Sequence, residues 1–301
     1  MPNLVTSPSY DDLNRTVSMV FEQAYGESAP WWQMLATMIP SSTSVNEYLF
    51  ENRILKMEEW LGPRTLQNLS NQEYSLKNKR YQAAVSVSVD QIEDDQLGVF
   101  KNQVSGLGRA AAKWPDQLLK TALQAGTVDL GFDGQPFFDT AHTVGVAPAL
   151  SASQSNNFTG SALSATTYNT VRAGMMALTG EDGEPLGVDP GLLCVPPQLE
   201  DAGRQIIRAG TVTTGGTNIW QGSADLLVIP ELANEATTWY LADVSKPLKP
   251  FIWQLRKPTT ITSKNAPTDD NVFFDDEYIW GSKGRGRIGY SPWWLMARAI
   301  A

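Results

Sequence analysis

One cysteine and one histidine in 301 residues leave this chain short of the side chains that carry most enzyme chemistry. Cys194 has no second cysteine with which to close an internal disulfide. It lies in the apolar run 192–195, where a small buried hydrophobe is expected rather than a reactive thiol, and a reducing compartment fits. A zinc site built on histidines needs more than one of them. His142, following the aromatic pair Phe137 and Phe138, reads as a satisfied structural residue rather than a general base. No apolar run approaches the roughly 20 residues of a membrane-spanning helix. The first dozen residues lack the basic segment and apolar block of a secretory signal, so the chain is expected to stay where it is made. Positive charge is scarce as well: 23 Lys and Arg face 32 Asp and Glu, a net −9 that makes direct wrapping of nucleic acid a poor expectation.

The remaining composition is that of an ordinary soluble protein, 42% apolar and 18% charged, long enough for one large domain or two modest ones. The most informative stretch is 46–126. Segments 46–60 and 72–90 carry strand-forming residues, and Leu61, Gly62, Pro63 and Arg64 are turn chemistry between them, so two long antiparallel strands are expected. Their charges balance, with Arg53, Lys56, Arg64, Lys77, Lys79 and Arg80 set against Glu47, Glu51, Glu58, Glu59, Glu73 and Asp90. A solvated hairpin explains the mixture, and so does ion-pair complementarity with neighbouring copies. Val85, Val87 and Val89 alternate with Ser86 and Ser88, the clearest period-two signal in the chain.

Glu93, Asp94 and Asp95 then sit where a helix should begin, and Leu97, Phe100, Val104, Leu107, Ala111, Trp114 and Leu118 form one helical stripe closed by Gly126. Pro115 interrupts it by removing a backbone donor and predicts a bend between Ala111 and Asp116. Upstream, Ser9 to Asp12 is a capping-box pattern before Leu13, Val17, Val20 and Phe21, with Gly26 as the stop. Trp31 and Trp32 lie in an apolar patch running to Ile39. They have two readings, packing on the chain's own core or docking on an adjacent subunit. Downstream, 165–178 and 198–209 read as helices and 191–195 and 224–229 as buried strands, an alternation that packs helices on a sheet. Segments 149–164 and 211–217 read as mobile loops.

Remaining motifs point away from catalysis. Gly284, Gly286 and Gly289 spell GxGxxG but lack the strand, turn and helix context and the downstream acid of a dinucleotide site. Asp269, Asp270, Asp275, Asp276 and Glu277 offer oxygen ligands for a hard cation. Their spacing is not that of a calcium loop and Phe273 and Phe274 interrupt it as a strand would, so solvated carboxylates are expected. Lys283, Arg285 and Arg287 form the one basic cluster, readable as facing DNA, as meeting an acidic patch on a neighbour, or as a solvated turn. Neither a cofactor nor a metal is expected.

An ordered series of short runs resembles the major head subunit of Mu-like phages and prophages. It comprises Glu58 to Thr65, Ile92 to Gly98, Gly108 to Ala111 with Trp114, Pro115 and Asp116, Asp133 to Asp139, Lys249 to Ile252, Arg256 to Pro258, and Asp276 to Tyr278. The chain departs from the family in having Thr143 after His142, where a proline is expected. The resemblance implies the α+β Hong Kong 97-type capsid fold. It would place an N-terminal arm at 1–45, an extended loop at 46–90, a peripheral domain with a long spine helix at 91–144, an axial domain at 145–240, and a return to the peripheral domain at 241–301.

The function implied is structural rather than enzymatic: hexamers and pentamers closing into an icosahedral shell around phage DNA, in a virion assembled in the host cytoplasm. The implied partners are other copies of the chain, weakly and non-specifically held double-stranded DNA, and separate scaffold, portal and decoration proteins, with no membrane. The acidic balance suits a wall that encloses dense DNA without adhering to it. An encapsulin-like compartment of the same fold is the alternative, and a hydrolase or metal-dependent enzyme on an α+β core is a reading of a different class.

Overall fold

The computed structural model describes residues 10–51, 71–93, 97–143, 153–180, 183–211 and 216–301. Helices are α1 (Tyr10–Glu27), α2 (Trp32–Leu35), α3 (Val89–Glu93), α4 (Leu97–Ala112), α5 (Trp114–Ala125), α6 (Ala165–Met176), α7 (Glu200–Ile207) and α8 (Asp270–Asp275). Strands are β1 (Ala36–Pro40), β2 (Val45–Glu51), β3 (Asn71–Lys77), β4 (Lys79–Ser88), β5 (His142–Thr143), β6 (Ser153–Gln154), β7 (Asn157–Phe158), β8 (Leu192–Val195), β9 (Asp225–Val228), β10 (Thr238–Ala242), β11 (Phe251–Lys264), β12 (Glu277–Tyr290) and β13 (Met296–Ile300).

Two sheets organise the chain. The first has the order β1-β11-β12-β4, with β1 parallel to β11 and the other pairs antiparallel. The second has the order β7-β13-β10-β8-β9. Strands β8 and β10 at its centre are mostly apolar, as strands covered on both faces tend to be, and every residue of both is buried. Ser164 caps α6 through a capping box with Thr167. The helices and strands read between 165 and 229 match α6, β8, α7 and β9 to within a few residues. A large core joins both sheets, and a smaller one joins α1, α4, β4 and β12 through Val17, Phe21, Val104 and Trp280.

Several expectations need correction. Segment 72–90 is not one arm strand. It breaks at buried Asn78, which donates to Ser41 and to the carbonyl of Thr43; β3 pairs with β2 as a hairpin, whereas β4 leaves to pair with β12 in the first sheet. The alternation at Val85 and Val87 therefore faces the small core, and Val89 already belongs to α3. The turn at 61–64, together with Asp94 and Asp95, lies outside the described residues.

The long helix is two helices, α4 and α5, parted at Lys113 with φ −86° and ψ 0°. Pro115 sits in the first turn of α5, where its missing N–H costs little, so the break falls two residues before the proline. Helix α1 runs one residue past Gly26, and Ser9 is outside the described residues. Part of 149–164 is structured: β6 and β7 flank Asn156, which is only 1% exposed. Phe273 and Phe274 belong to a short helix, α8, rather than a strand. His142 and Thr143 form a strand paired with β6 where the family's proline suggested a turn.

Candidate assembly surfaces

The β2–β3 hairpin is fastened at its root and open on its outer side. Phe50 and Leu76 point inward and are buried, and Phe50 meets the ring of Phe132 edge-on at 5.3 Å. Tyr48 donates its hydroxyl to Gln254 Oε1 at 2.8 Å, buried Gln254 donates to the carbonyl of Leu76 at 3.1 Å, and the backbone N–H of Tyr290 donates to the hydroxyl of Tyr74 at 3.3 Å. Glu47, Leu49, Glu73 and Lys77 lie on the uncovered side, with Leu49 62% exposed. Lys79 and Arg80, at the start of β4, are exposed too. Arg53, Lys56, Glu58, Glu59 and Arg64 fall outside the described residues.

Trp31 and Trp32 pack half-buried on the large core. The indole of Trp31 donates to Glu231 at 3.3 Å, and the backbone N–H of Trp32 donates to Asp116 Oδ1 at 2.8 Å. Both therefore tie the segment before β1 to the chain's own body, while Met34 and Met38 turn outward. Asp116 itself is 1% exposed, and its second oxygen has no hydrogen-bond partner. Burial pushes its carboxyl up to about 6, an effect opposed by the N–H groups of Trp32 and Trp31.

Lys283, Arg285 and Arg287 sit in mid-strand on β12, not in a turn. The glycines between them explain the GxGxxG letters without any nucleotide. A Cβ at Gly284 would lie 2.6 Å from the indole of Trp114, and one at Gly286 would lie 2.7 Å from that of Trp253. One face of β12 must be bare for these tryptophans to cover it, and the opposite face carries the cations. Across the sheet Lys257, Arg285 and Arg80 are directly abreast on β11, β12 and β4. They line a cleft of about 760 Å³ together with Tyr81, Pro258 and Lys283. Among the described residues none of these four cations makes an ion pair, and the buried Nε of Arg285 has no partner. The sequence showed the cluster on β12 but not the cross-strand cations, because strand register is not local information.

His142 is fully buried in a hydrogen-bonded knot. Its Nδ1 lies 2.6 Å from Asp133 Oδ2, its Nε2 lies 3.1 Å from Asn156 Oδ1, and its ring stacks on Trp293 at 4.0 Å. The Asn156 amide donates to the carbonyls of Phe137, Trp293 and Met296, tying its own segment to Phe137 and to the distant 293–296 stretch. With every polar position occupied, the imidazole has no room for a substrate and acts as a structural clamp. Cys194 is likewise buried in β8, where burial pushes its thiol up, away from the nucleophilic thiolate. Among the described residues no group of three or more His, Cys, Asp or Glu is placed to hold a metal, and no helix is long and apolar enough to cross a membrane.

Comparison with known proteins agrees with this geometry. The family profile described as Mu-like prophage major head subunit gpT matches residues 10–164, 159–232 and 231–300. The chain is 28% identical over 280 residues to the Mu-like prophage FluMu major head subunit of Haemophilus influenzae, covering 93% of this chain and 69% of that protein. It is 26% identical over 297 residues to the major capsid protein of Escherichia phage Mu, covering 99% of this chain and 75% of that one. In structure it is similar to the procapsid of bacteriophage JBD30, with a TM-score of 0.61 and 28% identity over 97% of this chain and 74% of that one. The mixed helices and strands are those of the Hong Kong 97-type capsid fold. By profile, sequence and architecture together, the chain belongs to the family of Mu-like prophage major head subunits.

Proposed function

We infer that this major capsid protein works by association rather than by chemistry, its copies forming hexamers and pentamers that close into an icosahedral shell around double-stranded DNA. The observation that carries this reading is the β2–β3 hairpin. It is hydrogen-bonded at its root to its own sheet, yet it leaves Leu49 and a row of charged residues uncovered on the outer side. A surface of that kind is completed by neighbours, through many modest heterologous contacts that sum around closed rings.

The division that supports it assigns 1–45 to an arm, 46–90 to an extended loop, 91–144 to a peripheral domain, 145–240 to an axial domain, and 241–301 to the return, with β4 serving the body sheet. Lys77, Lys79 and Arg80, together with Arg53, Lys56, Glu58, Glu59 and Arg64 of the loop, are assigned to contacts between copies. Trp31 and Trp32 join them through their exposed edges, next to Met34 and Met38. DNA is held weakly, and scaffold, portal and decoration proteins act as separate partners. An encapsulin-like compartment is the weaker reading, because the relatives by sequence are phage and prophage head proteins. No enzymatic step is assigned.

The test is a trimmed loop. Replacing 52–70 by a short turn keeps the β2–β3 ladder and should leave a soluble, folded subunit that gives no shells by electron microscopy. Full-size shells from that variant would contradict the reading.

A further inference from the structure

Among the described residues two surfaces remain without partners, and they are complementary. The first is the cleft of Arg80, Lys257, Lys283 and Arg285. Like charges directly opposite one another on a sheet are destabilising, so three cations abreast are an arrangement that an anion must complete. Among the described residues no carboxylate lines the cleft, and Tyr81 and Pro258 give it apolar walls. Arginine with a free buried donor is suited to a carboxylate, which it grips through a fixed fork.

The second surface is the tip of the β11–β12 hairpin, where α8 presents Phe273 and Phe274, each 75% exposed, their rings at 90° and 5.0 Å apart. Asp269, Asp270, Asp275 and Asp276 flank the pair along α8 and at its two caps. Among the described residues only Lys264 forms an ion pair with any of them, at 4.0 Å from Asp270, whose side chain is 86% exposed. Paired aromatics flanked by carboxylates match a cleft with apolar walls and unpaired cations.

The tip has no route into its own cleft. Paired strand runs from Thr260 and Lys283 to Lys264 and Ile279, holding the two surfaces roughly 13 Å apart on one rigid ladder. We propose that the Phe273–Phe274 tip of one copy, with its aspartates, docks in the Arg80–Lys257–Lys283–Arg285 cleft of another copy. The contact is heterologous, so it propagates from subunit to subunit. It rests on the shell reading given above and adds to it the surfaces that meet.

The test is a charge swap. Lys257→Glu with Arg285→Glu reverses the cleft, and Asp270→Lys with Asp275→Lys reverses the tip. Each pair alone should raise the concentration needed for shells by about tenfold or more, with the subunit still folded by circular dichroism. All four substitutions in one chain should restore shells. Separately, Thr260→Cys and Phe274→Cys in one chain should form a disulfide between copies on mild oxidation, giving linked dimers and longer ladders on non-reducing gels.

Shells at the normal concentration from either single reversal would overturn the proposal. Failure of the fourfold swap to restore shells from folded subunits would do so too, as would loss of DNA binding on cleft reversal with assembly intact, since the cleft would then serve phosphates. If the unaltered chain gave no shells, the shell reading would fall, and the cross-link would still decide whether tip and cleft meet.

Discussion

Asp116 is the residue whose chemistry reaches furthest. Its raised carboxyl takes up a proton more readily in the folded than in the unfolded chain, so folding is favoured most at low pH and that advantage is lost as pH rises from about 4 to about 6. Above that range the charged carboxylate, buried with one oxygen unpartnered, costs up to about 3 kcal/mol. Asp116→Asn keeps an oxygen for the N–H of Trp32 and removes the charge. We expect it to raise the melting temperature at pH 8, to leave it nearly unchanged at pH 4.5, and to flatten the dependence between them in thermal unfolding of the subunit. A parallel drop in stability at both pH values would show that the carboxylate is needed as an ion.

Among the elements, α1 and α4 are a closely fitted pair. A Cβ at Gly108 would lie 2.6 Å from the carbonyl oxygen of Phe21, so only glycine lets the two helix backbones cross at that distance. Gly108→Val should force the helices apart and destabilise the subunit by about 1–3 kcal/mol, measured as a lower midpoint in urea. The equivalent change at Gly106, where a Cβ meets nothing within 4 Å, should cost far less.

The elements also divide what was legible in the sequence from what was not. The stripe Phe100, Val104, Leu107 and Ala111 is visible because helical burial repeats locally, and all four are buried as read. The parting of α4 from α5 was signalled by Pro115 and falls at Lys113, inside the expected stretch from Ala111 to Asp116, because a proline is tolerated in a first helical turn and sets the break just upstream. The split of 72–90 at Asn78 left no periodic trace. It depends on hydrogen bonds to Ser41 and Thr43, more than 30 residues away.

For the whole molecule, the scarcity of catalytic side chains and the surplus of charged outer surface point the same way. The lone histidine is spent on a clamp, the lone cysteine on a strand core, and the glycine motif on seating two tryptophans. What the fold leaves open is contact surface: the hairpin's outer row, the basic cleft and the aromatic tip. The composition alone turned attention from catalysis towards structure, whereas the cleft required the register of three strands. The central claim is that these surfaces are completed by other copies of the chain, and electron microscopy of the purified chain tests it most directly. Closed, hollow shells of uniform diameter are predicted, and dispersed single subunits at every protein concentration would contradict it.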